Sequence, residues 1–262
     1  MIRVGTSGYQ FADWKGTFYP QAIAAADVLS YYAERFDVVE INATYYRILP
    51  AKSYEGMLRR VPDHFDFVVK AYGGLTHQEG IDAAALAEYL DSLRPLVEGN
   101  RLLHVLFQYP FGYRNTEENR RKALELCDAV VPSSAAVEFR HQSWDEDAVR
   151  DLLARRGVTW CNVDEPPLPG LLPPSAHLTT PRGYVRLHGR NRREWFGKDR
   201  DRRYHYLYSD DELREWIPRV RQLDERAKDV VVFFNNCHEG NAPNNALRFL
   251  DLLADSASPT PF

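Results

Sequence analysis

Eight short runs of β-forming residues recur along the chain, and helical periodicity fills most of the intervals between them, an alternation that admits few architectures. The runs cover residues 2–7, 38–42, 66–70, 102–108, 136–140, 159–164, 184–188 and 230–235. Helical spacing marks 28–36, 51–60, 83–97, 117–130, 145–156, 210–226 and 242–253. Strands that alternate with helices build a parallel sheet, and eight such units close it into a barrel. An open doubly wound sheet would carry a Gly-rich phosphate fingerprint after its first strand, and none follows residue 7. The sequence therefore predicts the α/β class, with one (β/α)8 TIM-type barrel domain spanning residues 1–262. The sixth crossover, 165–183, contains six prolines (Pro166, Pro167, Pro169, Pro173, Pro174 and Pro181) and is predicted to be an irregular loop.

At 262 residues the length suits one barrel, and 44% hydrophobic with 27% charged residues is the balance of a globular chain. A formal net charge of −4 supplies no global attraction to nucleic acid or to anionic membrane, so either partner would need a local basic patch. Cys127, Cys161 and Cys237 are widely separated and odd in number, which reads as reduced thiols rather than a disulfide or zinc framework. The amino terminus enters a strand-like run at once and shows no apolar leader, so a cytoplasmic location and no membrane partner are expected.

Successive side chains of a barrel strand point alternately at the helices and at the interior, so the apolar member of each pair marks the outward face. This rule turns Glu40, Asn42, Lys70, Gln108, Glu138, Arg140, Asn162, Asp164, Arg186 and His188 inward. Barrel interiors are ordinarily Val, Ile and Leu, whereas functional groups gather where the strands end. A closed ion-pair network is the competing reading, since a buried charge is costly unless paired. The first loop adds Tyr9, Phe11, Trp14, Phe18 and Tyr19 to the same mouth, and Tyr45 and Tyr46 follow the second strand. Aromatic rims of this kind suit sugar rings or bases. The seventh loop, 189–204, carries seven cations against three carboxylates, interleaved with aromatics as on surfaces that grip phosphate chains.

These residues resemble one family over nearly the whole chain, the YecE-like proteins (domain of unknown function 72). The resemblance rests on Val4-Gly5-Thr6-Ser7-Gly8, Trp14-Lys15-Gly16 with Phe18-Tyr19-Pro20, Val39-Glu40-Ile41-Asn42 with Thr44-Tyr45-Tyr46, and Glu138-Phe139-Arg140-His141 with Ser143-Trp144. Lys70, Thr76-His77, Gln108-Tyr109-Pro110, Arg186-Leu187-His188-Gly189-Arg190 and Phe234-Asn235-Asn236 complete it. It implies a barrel similar to those of the sugar-isomerase and apurinic-endonuclease type and brings no reaction with it.

The candidate chemistry is metal-independent acid/base work on a small phosphate- or carboxylate-bearing ligand. Arg140, Arg186 and Lys70 would hold the anion, Glu40 or Glu138 would act as base, and His188 or His141 as acid. Asn42, Tyr46, His77, Gln108, Trp144, Asp164 and Asn235 complete the expected ligand-binding set. On this reading Arg186→Ala removes ligand binding with little change in melting temperature. A metal reading would use Glu40, Glu138, Asp164, His141 and His188, but Lys70, Arg140 and Arg186 interleave with those ligands and would repel a dication. No metal and no cofactor are therefore expected. Lys70 as a Schiff-base former is a further alternative. The second function class is a nucleic-acid-binding or endonuclease-like barrel that uses the seventh loop, and steep salt dependence would be its signature.

Overall fold

The computed structural model describes residues 1–76, 82–130, 134–199 and 202–256. Eight parallel strands, β1 (Ile2–Thr6), β2 (Val38–Ile41), β3 (Asp66–Lys70), β4 (Leu102–Gln108), β5 (Ala135–Glu138), β6 (Thr159–Asp164), β7 (Arg182–Leu187) and β8 (Asp229–Phe234), form one sheet in the order β1-β8-β7-β6-β5-β4-β3-β2. Around them lie α1 (Val28–Ala33), α2 (Ala51–Leu58), α3 (Gly73–Thr76), α4 (Ala83–Ser92), α5 (Arg94–Glu98), α6 (Glu117–Asp128), α7 (Asp147–Arg155), α8 (Asp210–Asp224) and α9 (Asn241–Asp255). The predicted TIM-type barrel is present and nearly closed. One predicted helix, 83–97, breaks into α4 and α5 at Leu93, because Pro95 has no N–H to continue the ladder.

The seam between β1 and β2 has an unusual closure. Ser7 bridges Glu40, and the Gly8 N–H donates to the Glu40 carbonyl at 2.7 Å. One step lower, the Tyr32 hydroxyl from α1 stands between the strands, accepting from the Thr6 N–H at 2.8 Å and donating to the Val38 carbonyl at 3.2 Å. A side-chain hydroxyl thus satisfies backbone groups that a regular ladder would pair. Gly5 is required beside it, since a Cβ there would lie 2.3 Å from the Val38 carbonyl oxygen.

Between β6 and β7 the chain has no helix, as the prolines predict. That absence overturns the inward placement of Asn162 and Asp164. With a loop in place of the crossover helix, Asn162 satisfies loop backbone, and Asp164 meets polar groups of α8 and of the segment before it. The Asn162 amide accepts from the His177 N–H at 2.8 Å and donates to the His177 carbonyl at 3.0 Å. Asp164 accepts from Trp216 of α8 at 3.0 Å and from the Tyr208 hydroxyl at 2.5 Å. Cys161, whose Sγ lies 3.9 Å from Glu138, faces the interior in their place. Among the described residues no helix is long and apolar enough to cross a membrane.

Candidate functional site

Glu40, Glu138, Arg140, Arg186 and His188 meet inside the barrel at the carboxyl end, joined by Glu165 from the loop after β6, and all six are buried. Arg186 spans two carboxylates, donating to Glu138 at 2.5 Å and to Glu40 at 2.6 Å, with Ser7 Oγ accepting a third bond at 3.2 Å. Arg140 spans Glu138 and Glu165, each at 2.5 Å. Tyr184 donates its hydroxyl to Glu40. The bidentate fork of each guanidinium, which would have been available to a ligand anion, is thereby filled by protein carboxylates. His188 Nδ1 stands 2.9 Å from the Asn235 amide nitrogen, and its Nε2 faces Glu138 at 3.4 Å. With Nδ1 assigned as acceptor, Nε2 carries the proton.

Burial favours the neutral form of an ionisable group, and its neighbours decide whether it stays charged. Burial opposes ionisation of Glu138, but Arg140 and Arg186 outweigh it and hold the carboxyl well below its usual range. Burial, seconded by Arg140, pushes His188 down to about 3, so it is a neutral imidazole near pH 7. Burial pushes Glu165 up to about 8 against the pull of Arg140. Arg140 is shared between Glu138 and Glu165 at 2.5 Å each, so its charge is divided between the two carboxyls. Near pH 7 His188 is thus without a proton to give as an imidazolium, and Glu138 is a weak base.

Lys70 does not join the network as a salt bridge. Its Nζ donates to Gln108 Oε1 at 2.9 Å and lies 4.4 Å above the Tyr45 ring. Burial, then the Arg186 charge, brings Lys70 down from 10.5 to about 8. After reductive methylation with labelled formaldehyde, the Lys70 methyl resonance should titrate near pH 8, and it should vanish in Lys70→Arg. A midpoint above 10 would remove the desolvation account.

Beside this cluster, at the carboxyl ends of β8, β1 and β2, opens a cavity of about 870 Å³. Its polar lining includes Ser7, Asn42 and Asn235, and the Asn42 Oδ1 is buried without a hydrogen-bond partner. Arg47, Lys52 and Arg60 bring three cations to its wall, while Asp13 is the one carboxylate among the described lining residues. Lys52, Gly56 and Arg60 occupy one stripe of α2 and the turn that follows it, at i, i+4 and i+8. Tyr9, Phe11, Tyr46 and Tyr204 add aromatic surface, with Tyr46 81% exposed at the rim. Of the fourteen residues proposed from the sequence, Asn42, Tyr46 and Asn235 line the cavity; Glu40, Glu138, Lys70, Arg140, Arg186 and His188 do not.

The remaining candidates are dispersed. Trp144 is 1% exposed and stacks on Phe139 at 3.7 Å in the layer outside the barrel, away from the mouth. Asp164 likewise faces outward and anchors Arg190, which also reaches Glu215 at 2.8 Å. His141 is buried with its Nδ1 2.9 Å from Ser143 Oγ. Gln108 serves Lys70, and His77 lies outside the described residues. Three of the five first-loop aromatics, Trp14, Phe18 and Tyr19, are buried against one another and against α1 rather than standing at the mouth. The cavity cations escaped sequence reasoning because they lie beyond the strand ends; the α2 stripe was the signal that could have found them.

The family described as "Protein of unknown function DUF72" matches residues 3–261. The UPF0759 protein YunF of Bacillus subtilis (strain 168) is 33% identical over 97% of this chain and 95% of its own length. A crystal structure of a DUF72 family protein from Thermotoga maritima MSB8 superposes with a TM-score of 0.89 at 41% identity, covering 97% of this chain and 99% of that one. A second, from Enterococcus faecalis V583, superposes with a TM-score of 0.85 at 27% identity over the full length of both chains.

Proposed function

The chain belongs to the DUF72 family, and we propose that it binds a small organic anion, bearing phosphate or carboxylate, in the cavity at the carboxyl ends of β8, β1 and β2. The observation that carries this reading is the imbalance of charge on the cavity wall. Arg47, Lys52 and Arg60 line it without an ion pair to any described residue, against Asp13 alone. Three cations around a concave site attract and orient an anion, whereas the guanidinium groups of the barrel interior are already occupied. Polar groups from Ser7, Asn42 and Asn235 offer hydrogen bonds at the inner end, and Tyr9, Phe11 and Tyr204 offer apolar faces to the rest of the ligand.

The test is thermal denaturation with inorganic phosphate and with panels of sugar phosphates and dicarboxylates. A matching ligand at a hundredfold excess over its Kd adds about 2.7 kcal/mol, which raises the midpoint by roughly 5–10 °C. The combined variant Arg47→Ala, Lys52→Ala, Arg60→Ala should keep the parent midpoint and lose that response, since all three side chains are exposed. An equal response in the variant, or none from any ligand in the parent, would sink the reading. Binding of an oligonucleotide with a steep salt slope would favour the nucleic-acid alternative instead.

A further inference from the structure

The geometry points to a binding site for a divalent transition-metal ion of the zinc class at the cavity rim, formed by His205, His238 and Glu239. His205 follows a short helical turn in the loop after β7, and the other two follow β8. One ligating atom from each residue lies within 4.8 Å of the others. His205 Nε2 is 3.1 Å from Glu239 Oε2, and the two imidazole centroids are 4.4 Å apart. A tetrahedral ion bound at about 2.0–2.1 Å needs ligand atoms about 3.3 Å apart, so small side-chain rotations complete the set.

The backbone supports the same assignment. Glu239 adopts φ 55°, a left-handed conformation that a residue with a Cβ occupies at a cost, and such strain persists where the surroundings enforce it. Asp13 Oδ2 accepts the Glu239 N–H at 2.7 Å, and Trp14 Nε1 donates to the Cys237 carbonyl at 2.6 Å. The first loop therefore clamps the turn that brings the Glu239 carboxylate beside His205.

Two imidazoles and one carboxylate are a zinc ligand set that leaves a coordination position for water or for a ligand oxygen. His238 and Asp13 both line the cavity, so that position belongs to its rim. The set shares no residue with the interior carboxylates and imidazoles weighed from the sequence, and it stands apart from Arg140 and Arg186.

Untagged protein stripped with chelator and titrated with Zn(II) by calorimetry tests the assignment. One equivalent should bind per chain, and His205→Ala, His238→Ala and Glu239→Gln should each weaken it about tenfold or more. His64→Ala, which removes an exposed imidazole 3.2 Å from Asp37, should leave the affinity unchanged. Co(II) should give a visible absorption band in the parent that is lost in His205→Ala. His205 and Glu239 are exposed, so their variants should fold, which circular dichroism would establish. Absence of binding at millimolar zinc, or unaltered affinity in the three variants, would overturn the site.

Discussion

Replacing Arg186 by Ala should cost the fold about 3–5 kcal/mol and lower its melting midpoint by roughly 10 °C. The guanidinium sits between Glu138 and Glu40, donating to each at 2.5 and 2.6 Å, and both carboxyls are fully buried. Its removal leaves Glu40 without a bonded cation and Glu138 with Arg140 alone, and both carboxyls are buried. This differs from the expectation drawn from sequence, in which Arg186 served a ligand and could be removed with little effect on melting. The deficit should also depend on pH. Without the cation, the folded-state pKa of these carboxyls rises above the unfolded value, so stability is highest below the unfolded pKa and falls as pH climbs. The variant should therefore recover part of its loss at pH 5 relative to pH 8. Arg186→Lys should restore less than half of the difference, because one ammonium cannot bridge both carboxylates. A variant that melts with the parent at pH 8 would mean that the network is not what holds these charges in place.

Glu165→Gln should have the opposite sign. Burial raises Glu165 to about 8, so the folded protein keeps this proton over a range in which the unfolded chain, near 4.3, has released it. Between those values the folded state binds more protons, and its stability falls with rising pH. Glutamine reproduces the shape of the protonated acid and can still accept from Arg140, whose Nη1 lies 2.5 Å from Glu165 Oε1. The variant should match the parent near pH 4.5 and exceed it by on the order of 3 kcal/mol at pH 8. Denaturant curves across that range would decide it. Parallel profiles would show that Glu165 is ionised in the fold and that a further cation balances it.

Most of the architecture was legible in the sequence because it rests on local periodicity. The strand runs fall within a residue or two of the observed strands, and the proline-rich sixth crossover is irregular. The alternation rule placed Glu40, Glu138, Arg186 and His188 correctly in the interior, since Ile41, Val137, Val185 and Leu187 do pack outward on apolar neighbours. It failed on β6, where Asn162 and Asp164 face out to a loop and to Trp216. The rule assumes an apolar helix face outside every strand, and no helix follows β6 to supply it.

What the sequence determined by itself was the order of elements, the number of strands and the end of the barrel where polar groups collect. Period and punctuation are properties of consecutive residues, and the chain can be read for them directly. Which polar groups meet was decided only by the closed structure. Arg186 is matched by Glu40 from 146 positions earlier, so a cation that reads as a ligand-binding arm becomes one member of a buried network. The cavity is likewise made by surfaces that are remote in sequence, α2, the first loop and the turn after β8, and the His205–His238–Glu239 cluster joins two loops across its rim. Distance through space sets electrostatic pairing and metal-ligand geometry, and only folding fixes that distance.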